Sequence, residues 1–338
     1  MRTVAELEAI LAEPSDALVQ DLASVEGDII LLGVGGKMGP SLARLAMNAI
    51  RKGGLSKRVI GVSRFSNEEA RRELEEAGVE TVSCDLLNDE ELKQLPDAQN
   101  VIYMAGNKFG TTGKEYFTWA MNAYLPGRVA EKYKDSRIVV FSSGNVYPFM
   151  PVGGGGAAED MAPEPIGEYA QSCLGRERIF EYHSHKNGTP MVFYRLNYAI
   201  DMRYGVLLEI AKAVNEGRPV NVAMGHANVI WQGDANAMAL RCLTSCSNPP
   251  NIVNITGPET MSIRWAAAEF AARLGKNAII EGTESETALL NNASKSHQMF
   301  GYPSVPLLQM IDWMAEWVQL GGATWNKPTH FQERKGKF

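Results

Sequence analysis

Short apolar runs alternate with longer helix-like segments from residue 28 onward. The runs read DIILLG, KRVIGVS, ETVSC, NVIYMAG, RIVVFSS and MVFYRLN. Largely apolar runs of this length are typical of strands buried on both faces of a parallel sheet, whose neighbours are joined by crossover helices. The pattern therefore predicts an α/β fold of the Rossmann type, with a doubly wound parallel sheet.

The segments between the runs have helical spacing. In KMGPSLARLAMNAI, the apolar residues Met38, Leu42, Leu45 and Ala46 recur three and four positions apart and form one face. The strongest helical pattern is close to the C-terminus. Its apolar face comprises Leu307, Met310, Ile311, Met314, Trp317 and Val318.

The same alternation divides the chain into three parts. Residues 1–27 precede the first strand and predict an N-terminal helical extension. Residues 28–200 predict the nucleotide-binding Rossmann domain. Residues 201–338 are less regular, with short strands at PVNVAM, NVIWQG and NIVNITG, and predict mainly a smaller substrate-binding lobe interleaved with the sheet.

Composition narrows the class of protein. The chain has 338 residues, 45% of them hydrophobic, and a net charge of −6 with both signs interspersed. This distribution gives no basic patch for nucleic acid or an anionic membrane. The sequence lacks a signal-peptide pattern and a long apolar span, so we expect a cytoplasmic protein. Four scattered cysteines favour neither a disulfide framework nor a metal site.

A glycine-rich loop follows the first predicted strand and begins the first helix. Glycines allow a tight turn, close approach of the backbone to a pyrophosphate and close helix packing, while the helix N-terminus supplies N–H donors. The sequence therefore predicts a dinucleotide site at this loop. The predicted cofactor contacts of the loop are Gly33, Gly35, Gly36, Lys37, Met38 and Gly39.

The G-x-x-G-x-x-G spacing of Gly33, Gly36 and Gly39 resembles the extended short-chain dehydrogenase/reductase superfamily, the NAD-dependent epimerase/dehydratase family. That group includes sugar-nucleotide epimerases and dehydratases. Later stretches resemble further motifs of the family in the same order, over about residues 28–320. They are SCDLLNDEEL, VIYMAGNKFG, WAMNAYLPGRVAE, VVFSSGNVYP, EYAQSCLGRE, YRLNYAI and VIWQGDANAMAL.

The resemblance implies several cofactor contacts. Asp85 and Leu86 would line the adenine, Ala105 and Gly106 would pass along the cofactor, and Asn122 would be the asparagine of the next helix. In the last of the matching stretches, Asp234 would cap a helix. Members of this family usually pair through a four-helix interface, so the resemblance also implies a homodimer.

The second strand bears on the choice of cofactor. An NAD enzyme normally has an acidic residue there that binds the ribose diol, whereas this strand ends in Ser63 and Arg64. A hydroxyl and a guanidinium accept a 2′-phosphate, and Lys37 adds a cation nearby. We therefore expect NADP, with NAD as the alternative.

Two residues carry the predicted chemistry. By the resemblance, Ser143 would hydrogen-bond the reacting oxygen of the substrate and Tyr169 would give or take its proton. On the substrate side, Asn145 and Asn197 would face the substrate. Arg203 is a candidate cation for an anionic group of the substrate.

The family motif Y-x-x-x-K is altered, because Cys173 stands where the lysine is expected. A unit charge about 4 Å away is worth roughly 4 kcal/mol, or about three pKa units, at an effective dielectric near 20. Its loss penalises alcohol oxidation more than carbonyl reduction. Lys108, matching a lysine that UDP-galactose 4-epimerases place near the nicotinamide, is the first replacement cation, and Arg176 is the second unless it is a surface residue. Cys173 itself is either a reactive thiol or, more commonly for a helical cysteine, a small buried residue.

These features predict an NAD(P)-dependent oxidoreductase or epimerase that acts on a hydroxyl or carbonyl of a sugar-like molecule. Many nucleotide-sugar members have an arginine seven residues before the aspartate, where this chain has Ala227. That departure favours a free sugar or a sugar acid as substrate. The alternative function is a catalytically silent dinucleotide sensor or scaffold, which the altered tyrosine motif would permit.

Overall fold

A seven-stranded parallel sheet forms the centre of the protein in the computed structural model, which describes residues 1–108 and 113–336. Its strands, labelled β1 to β7 in chain order, are Ile29–Leu32, Val59–Ser63, Glu80–Ser83, Asn100–Tyr103, Arg137–Ser143, Met191–Leu196 and Asn251–Ile255. Their spatial order is β3-β2-β1-β4-β5-β6-β7, and every neighbouring pair is parallel. The order reverses between β1 and β4, and a crevice for a ligand opens at such a point.

The predicted Rossmann fold is thus confirmed. The sheet has seven strands, one more than the six apolar runs from which the parallel sheet was predicted. The seventh strand comes from NIVNITG, which we had placed among the short strands of the C-terminal lobe. It pairs with β6 from Asn251 to Ile255. The C-terminal part of the chain therefore completes the central sheet.

Thirteen α-helices surround the sheet and form the second lobe in the described ranges. Labelled α1 to α13, they are Val4–Leu11, Asp16–Ser24, Gly39–Lys52, Glu68–Glu76, Asp89–Gln94, Glu115–Trp119, Leu125–Lys132, Gly167–Asn187, Val206–Asn215, Gln232–Arg241, Ile263–Leu274, Ser294–Phe300 and Leu307–Gln319. A π-helical segment, Ala120–Tyr124, joins α6 to α7.

The apolar face predicted for α3 is buried against the sheet. Leu42, Leu45 and Ala46 are fully enclosed, and Met38 packs at the edge of the same core. The predicted face of α13 is likewise buried, with Val318 at its margin. The helical spacing of the sequence therefore identified both faces correctly.

The N-terminal extension consists of the two helices α1 and α2. Thr3 forms a reciprocal capping box with Glu6 that fixes the start of α1. Leu7 and Leu11 pack into the core of the second lobe, and the terminal ammonium of Met1 lies 2.6 Å from Glu316 in α13. The extension therefore braces the two parts of the molecule.

The second lobe packs α9, α11 and α13 around one apolar core. Short strands lie at its borders, at Met150–Pro151, Ala199–Ile200, Pro219–Asn221, His226–Ala227, Ile230–Trp231, Met261–Ser262, Ile279–Glu281 and Thr287–Ala288. The last two residues of the predicted range 201–338 lie outside the described residues. Within the described ranges, no helix has the length and apolar character that a membrane crossing requires.

Candidate active site

A cleft of about 820 Å³ opens at the carboxyl ends of the central strands. The glycine loop forms one wall, the ends of β5 and β6 with the first turn of α8 form another, and the second lobe closes the far side. Several predicted site residues line it together. They are Gly33, Gly35, Gly36, Lys37, Met38, Gly106, Lys108, Ser143, Asn145, Tyr169 and Asn197.

The glycine loop has the geometry of a phosphate cradle. Gly33 has φ of +96°, and a Cβ there would lie 2.7 Å from the backbone nitrogen of Ala105. Gly35 and Gly36 are exposed on the cleft, whereas Gly39 is buried, and its Cβ would meet the Val34 carbonyl at 2.1 Å. Side chains are thus excluded where a pyrophosphate would approach the N-terminus of α3.

Only some of the residues predicted to contact the adenosine of the cofactor lie beside the glycine loop. The Ser63 hydroxyl borders the glycine loop, since a Cβ on Gly35 would lie 2.4 Å from it, and Arg64 is exposed beside it. Leu86 is buried in the core, and the exposed Asp85 accepts a hydrogen bond from the Leu87 amide at 3.1 Å. Of these residues, Ser63 and Arg64 are best placed beside the loop.

The predicted catalytic pair is brought together. The Ser143 hydroxyl accepts hydrogen bonds from the amide and the side-chain Nδ2 of Asn145, at 3.2 and 3.0 Å. It also contacts the hydroxyl of Tyr169, and this contact lowers the pKa of the phenol. The larger effect is burial, which, with Cys173 nearby, raises the pKa of Tyr169 well above its ordinary value. The Tyr169 phenol is therefore protonated at pH 7.

Cys173 lies fully buried one turn after Tyr169, in a small apolar cluster with Val146, Tyr147 and Ala157. Burial raises the pKa of its thiol, so the thiolate is disfavoured. This environment agrees with the packed residue rather than the reactive thiol. The cysteine supplies no charge to the tyrosine.

Lys108 reaches the position where a replacement cation was predicted. Its ammonium lies 5.7 Å from the centroid of the Tyr169 ring. Burial lowers the pKa of Lys108 to about 8, while nearby Cys173 and Glu209 act in the opposite direction. The charge at this position is therefore present at pH 7 and is lost as the pH rises through 8.

Arg176 is a buried residue, so its reading as a surface side chain is wrong. Its Nη1 donates to the Phe141 carbonyl at 2.6 Å and its Nη2 to Asn122 Oδ1 at 2.9 Å. A Cβ on Gly106 would lie 2.5 Å from that Nη2, so the guanidinium sits directly beneath the cleft floor. Its charge lowers the pKa of Tyr169, partly offsetting burial.

Asn122 lies below the cleft rather than in its wall. It is fully buried in the π-helical segment and exchanges hydrogen bonds with the backbone of Asn107 at 2.8 and 2.9 Å. Its Nδ2 also donates to Ser172 Oγ at 2.9 Å. Through these hydrogen bonds, Asn122 connects the loop that contains Lys108 with the first turns of α8.

A buried ionic network supports β5, the strand that ends in Ser143. The sequence did not indicate this network. Arg195 on β6 forms a bidentate pair with Glu177 on α8, at 2.9 and 2.6 Å. Glu177 also accepts from the Ser142 hydroxyl, and Arg195 donates to the Tyr147 hydroxyl at 2.6 Å. The two residues of this ion pair lie on separate elements, so no sequence pattern indicated that their charges would form a pair.

On the substrate side, Asn197 is buried and lines the cleft, with Nδ2 3.4 Å from the Leu289 carbonyl. Arg203 is not among the wall residues of this cleft. Its guanidinium is paired with Asp201 at 2.6 Å and Glu8 at 2.5 Å. Two carboxylates thus neutralise the cation that the sequence offered for an anionic substrate group.

Asp234 does not cap a helix, contrary to the expectation. It lies inside the first turn of α10, where its carboxylate accepts hydrogen bonds from the Ser304 hydroxyl at 2.7 Å and the Val305 amide at 3.2 Å. The residue therefore ties α10 to the loop before α13.

The wall also contains residues that the sequence did not indicate, among them four from two later segments of the chain. Tyr198 and Tyr204 follow β6, and Trp325 and Lys327 come from the segment after α13. The φ of +46° at Tyr198 marks a turn that the sequence did not indicate. Because Trp325 and Lys327 are so distant in sequence from the motifs, no local pattern could place them here. Among the described ranges, no cluster of His, Cys, Asp and Glu side chains could hold a metal ion.

The sheet order, the glycine cradle and the Ser143–Tyr169 pair define a dinucleotide-binding enzyme of the Rossmann class. A sequence model of the NAD-dependent epimerase/dehydratase family matches residues 29–222, and the chain belongs to this family of enzymes. No curated protein sequence matches the chain.

Solved structures with the same fold are distant in sequence. UDP-glucuronic acid 4-epimerase from Bacillus cereus, a Y149F mutant in complex with UDP-4-deoxy-4-fluoro-glucuronic acid and NAD, is 17% identical, with a TM-score of 0.70 over 86% of this chain and 99% of that one. UDP-glucose 4-epimerase from Thermus thermophilus, in complex with NAD, is 18% identical, with a TM-score of 0.70 over 88% and 100%. UDP-glucose 4-epimerase from Thermotoga maritima, with UDP-glucose, is 15% identical, with a TM-score of 0.68 over 86% and 98%. At this level of identity the likeness shows the fold.

Proposed function

We propose that this protein is an NAD(P)-dependent hydride-transfer enzyme that acts on a carbonyl or hydroxyl group of a sugar-like small molecule. The observation that carries the proposal is the Ser143–Tyr169 pair, which faces the glycine loop across one cleft. A protein that only binds a dinucleotide has no chemical need for a hydroxyl pair at this position.

The glycine cradle fits a dinucleotide, because the exposed Gly35 and Gly36 leave room for a pyrophosphate at the N-terminus of α3. Gly106 and Lys108 would hold the nicotinamide end. A bound nicotinamide supplies the hydride donor and acceptor chemistry that no side chain has. The protein's own residues then orient the substrate and move one proton.

We infer a preference for NADP over NAD. Ser63 and Arg64 stand where an acidic residue would contact the ribose diol, and a guanidinium suits a 2′-phosphate. Lys37 does not contribute to this preference, since its ammonium lies over the Tyr204 ring, 3.2 Å from the centroid, on the substrate side of the loop.

Within the cleft, Ser143 would hold the carbonyl oxygen of the substrate while Tyr169 donates a proton to it. Burial keeps the tyrosine in the protonated form that carbonyl reduction requires. Lys108 and Arg176 would stabilise the phenolate that remains after the transfer. Asn145 holds the serine hydroxyl in place, and Asn197 would hydrogen-bond the substrate.

These features favour net reduction, and two observations keep epimerisation as the second candidate. The family includes epimerases, and Lys108 matches a lysine of the UDP-galactose 4-epimerases. An epimerase must oxidise its substrate and then reduce it, so it keeps the same nucleotide bound. Ala227, where many nucleotide-sugar enzymes have an arginine, supports a free sugar or sugar acid as the substrate.

Identification of the bound nucleotide separates these reactions. The purified protein is denatured, and the released nucleotide is identified by mass spectrometry with its oxidation state. Protein that exchanges NADP freely and consumes NADPH with a panel of ketoses, aldoses and keto acids is the expected result. Tightly retained NAD would assign epimerisation, and nucleotide binding without turnover on any substrate would assign a silent sensor.

We also infer that two copies of the chain pair through the helices around Asn122 and Tyr169. Large aromatic residues on this side of the molecule are exposed, among them Tyr116 at 74% and Tyr182 at 61%. Exposed aromatic side chains of this kind are enriched in protein interfaces.

A further inference from the structure

The chain after α13 runs back across the substrate side of the cleft. We call residues 323–336 the C-terminal strap. The strap is attached to both sides of the cleft through backbone and side-chain contacts. These contacts are Trp325 N to Arg203 O at 3.1 Å, Thr329 N to Glu209 Oε1, Arg334 Nη1 to Thr287 O at 2.7 Å, and the Gly336 backbone against Gly167.

The middle and the C-terminal end of the strap pack against different parts of the molecule. Phe331 and Thr329 are buried, so the middle of the strap belongs to the core of the second lobe. At its end, Gly336 approaches Gly167 so closely that a Cβ on Gly167 would lie 2.4 Å from the Gly336 carbonyl. Gly167 begins the helix that carries Tyr169. The strap therefore connects the second lobe to the catalytic helix.

The strap brings an aromatic ring and a cation into the wall of the cleft. Trp325 packs on Tyr204, with ring centroids 6.3 Å apart, and Lys327 lines the cleft beside them. From the opposite wall, Lys37 reaches over the same Tyr204 ring, with its ammonium 3.2 Å from the centroid. One lysine of the glycine loop and one of the strap thus line the same cleft around Tyr204.

The cleft carries an excess of positive charge. Its described lining residues include three lysines and neither Asp nor Glu. Burial, together with the nearby charges of Lys108 and Lys327, lowers the pKa of Lys37 to about 7, against the effect of Glu209. An anion between Lys37 and Lys327 would relieve this repulsion and restore the charge of Lys37.

We propose that Lys37 and Lys327 form a subsite for an anionic group of the substrate, completed by the C-terminal strap. The substrate would be a sugar-like molecule with its reacting carbon at Tyr169 and a carboxylate or phosphate at the far end. Ammonium groups form charge-assisted hydrogen bonds with either anion. The proposal rests on the proposed function for its orientation, because Tyr169 marks the reacting end.

The test measures binding and needs no turnover. Protein saturated with NADP is titrated with D-glucuronate, D-glucose 6-phosphate and D-glucose, and binding is followed by calorimetry. We expect at least one of the two anionic sugars to bind about tenfold or more tightly than glucose, the size of one charge-assisted hydrogen bond. A preference for glucuronate assigns a carboxylate, and a preference for glucose 6-phosphate assigns a phosphate.

Three variants locate the effect. Lys327→Met and Lys37→Met are each expected to remove most of the preference for the anionic sugar, whereas Lys335→Met, an exposed lysine on the same strap, should keep it. Equal binding of the three sugars by the wild type would overturn the proposal. So would an unchanged preference in Lys327→Met, or a loss of NADP affinity in both variants in place of sugar affinity.

The outcome is independent of the reaction. If the anionic preference depends on Lys327 but no sugar is turned over, the subsite stands and the proposed hydride transfer is wrong. If sugars are reduced but charge makes no difference to their binding, the proposed function stands and the subsite is wrong.

Discussion

Tyr169 is held as a neutral acid by its surroundings. Burial and the uncharged Cys173 raise the pKa of the phenol, and Arg176 beneath the cleft lowers it only in part. Carbonyl reduction uses the protonated tyrosine, whereas alcohol oxidation uses the phenolate. With the role we propose for Tyr169, a cysteine at the lysine position would bias the site toward reduction.

The first prediction concerns this bias. Cys173→Lys places a charge one turn from Tyr169 and should lower the pH midpoint of alcohol oxidation by a unit or more, because a nearby cation stabilises the phenolate. The measurement is the pH profile of the oxidation rate. Cys173→Met changes volume without charge and should leave the midpoint in place. An identical midpoint in the lysine variant would contradict the assigned role of Tyr169.

The second prediction follows from Lys108. A lysine with a pKa of about 8 is charged below that pH and neutral above it. The reduction rate at saturating substrate should therefore fall as the pH rises through 8. Lys108→Arg should move this fall to higher pH, since a guanidinium keeps its charge, and Lys108→Met should be slow at every pH. Lys37 also lines the cleft and has a pKa lowered to about 7, so Lys37→Met, which should keep the fall at pH 8, serves as the control. A fall at pH 8 that persists in Lys108→Arg would rule Lys108 out.

At this scale, the sequence identified residues that belong to contiguous motifs. Ser143, Tyr169 and Lys108 were predicted because each follows a recognisable strand, and the structure brings them together. The position of the Lys37 ammonium over Tyr204 and the ion pair of Arg203 with Glu8 were not predictable, because both depend on side chains from distant parts of the chain.

At the scale of elements, α8 links catalysis to the sheet. It carries Tyr169 on its first turn and Glu177 two turns later, where the carboxylate pairs with Arg195 on β6. Both charges are almost completely buried. This pair therefore fixes the helix, and with it the tyrosine, relative to the catalytic strand β5 through Ser142.

The third prediction tests this connection. Glu177→Gln leaves the Arg195 charge buried without its partner and should lower the free energy of unfolding by about 3–5 kcal/mol. The measurement is equilibrium unfolding in urea. Glu181→Gln lies on the same helix but breaks only an exposed pair with Arg178, so its stability should be nearly unchanged. Equal losses in the two variants would refute a special role for the buried pair.

Strands and helices with strong periodicity were predictable, because each is determined by its own residues. The seventh strand was misplaced, since its partner β6 lies more than 50 residues earlier and only the folded sheet brings them together. The C-terminal strap has no regular secondary structure in its described residues, so no pattern could indicate that it crosses the cleft.

For the whole molecule, the exposed aromatic residues on α6, the π-helical segment and α8 form one side of the Rossmann domain. They include Tyr116, Tyr124 and Tyr182, which are 74%, 58% and 61% exposed. A second copy of the chain would cover them through the pairing that the family resemblance implies. None of these three tyrosines lines the substrate cleft.

The fourth prediction is a homodimer in solution. Light scattering should give twice the 37.0 kDa mass of the chain. Tyr182→Glu places a charge in the proposed interface and should shift the protein toward the monomer. Tyr302→Glu changes a tyrosine that is 74% exposed in the loop after α12, outside the helices of the proposed interface, and should remain dimeric. A monomeric wild-type protein would contradict the inferred interface.

The proposed role of Tyr169 as proton donor during hydride transfer is the central claim, and one comparison tests it most directly. Wild-type protein and Tyr169→Phe are incubated with NADPH or NADH and the substrate found in the panel, and nicotinamide absorbance is followed over time. Loss of a positioned proton donor should slow turnover by about 10²–10⁴-fold, while nucleotide affinity stays the same. Equal rates in the two proteins would contradict the account.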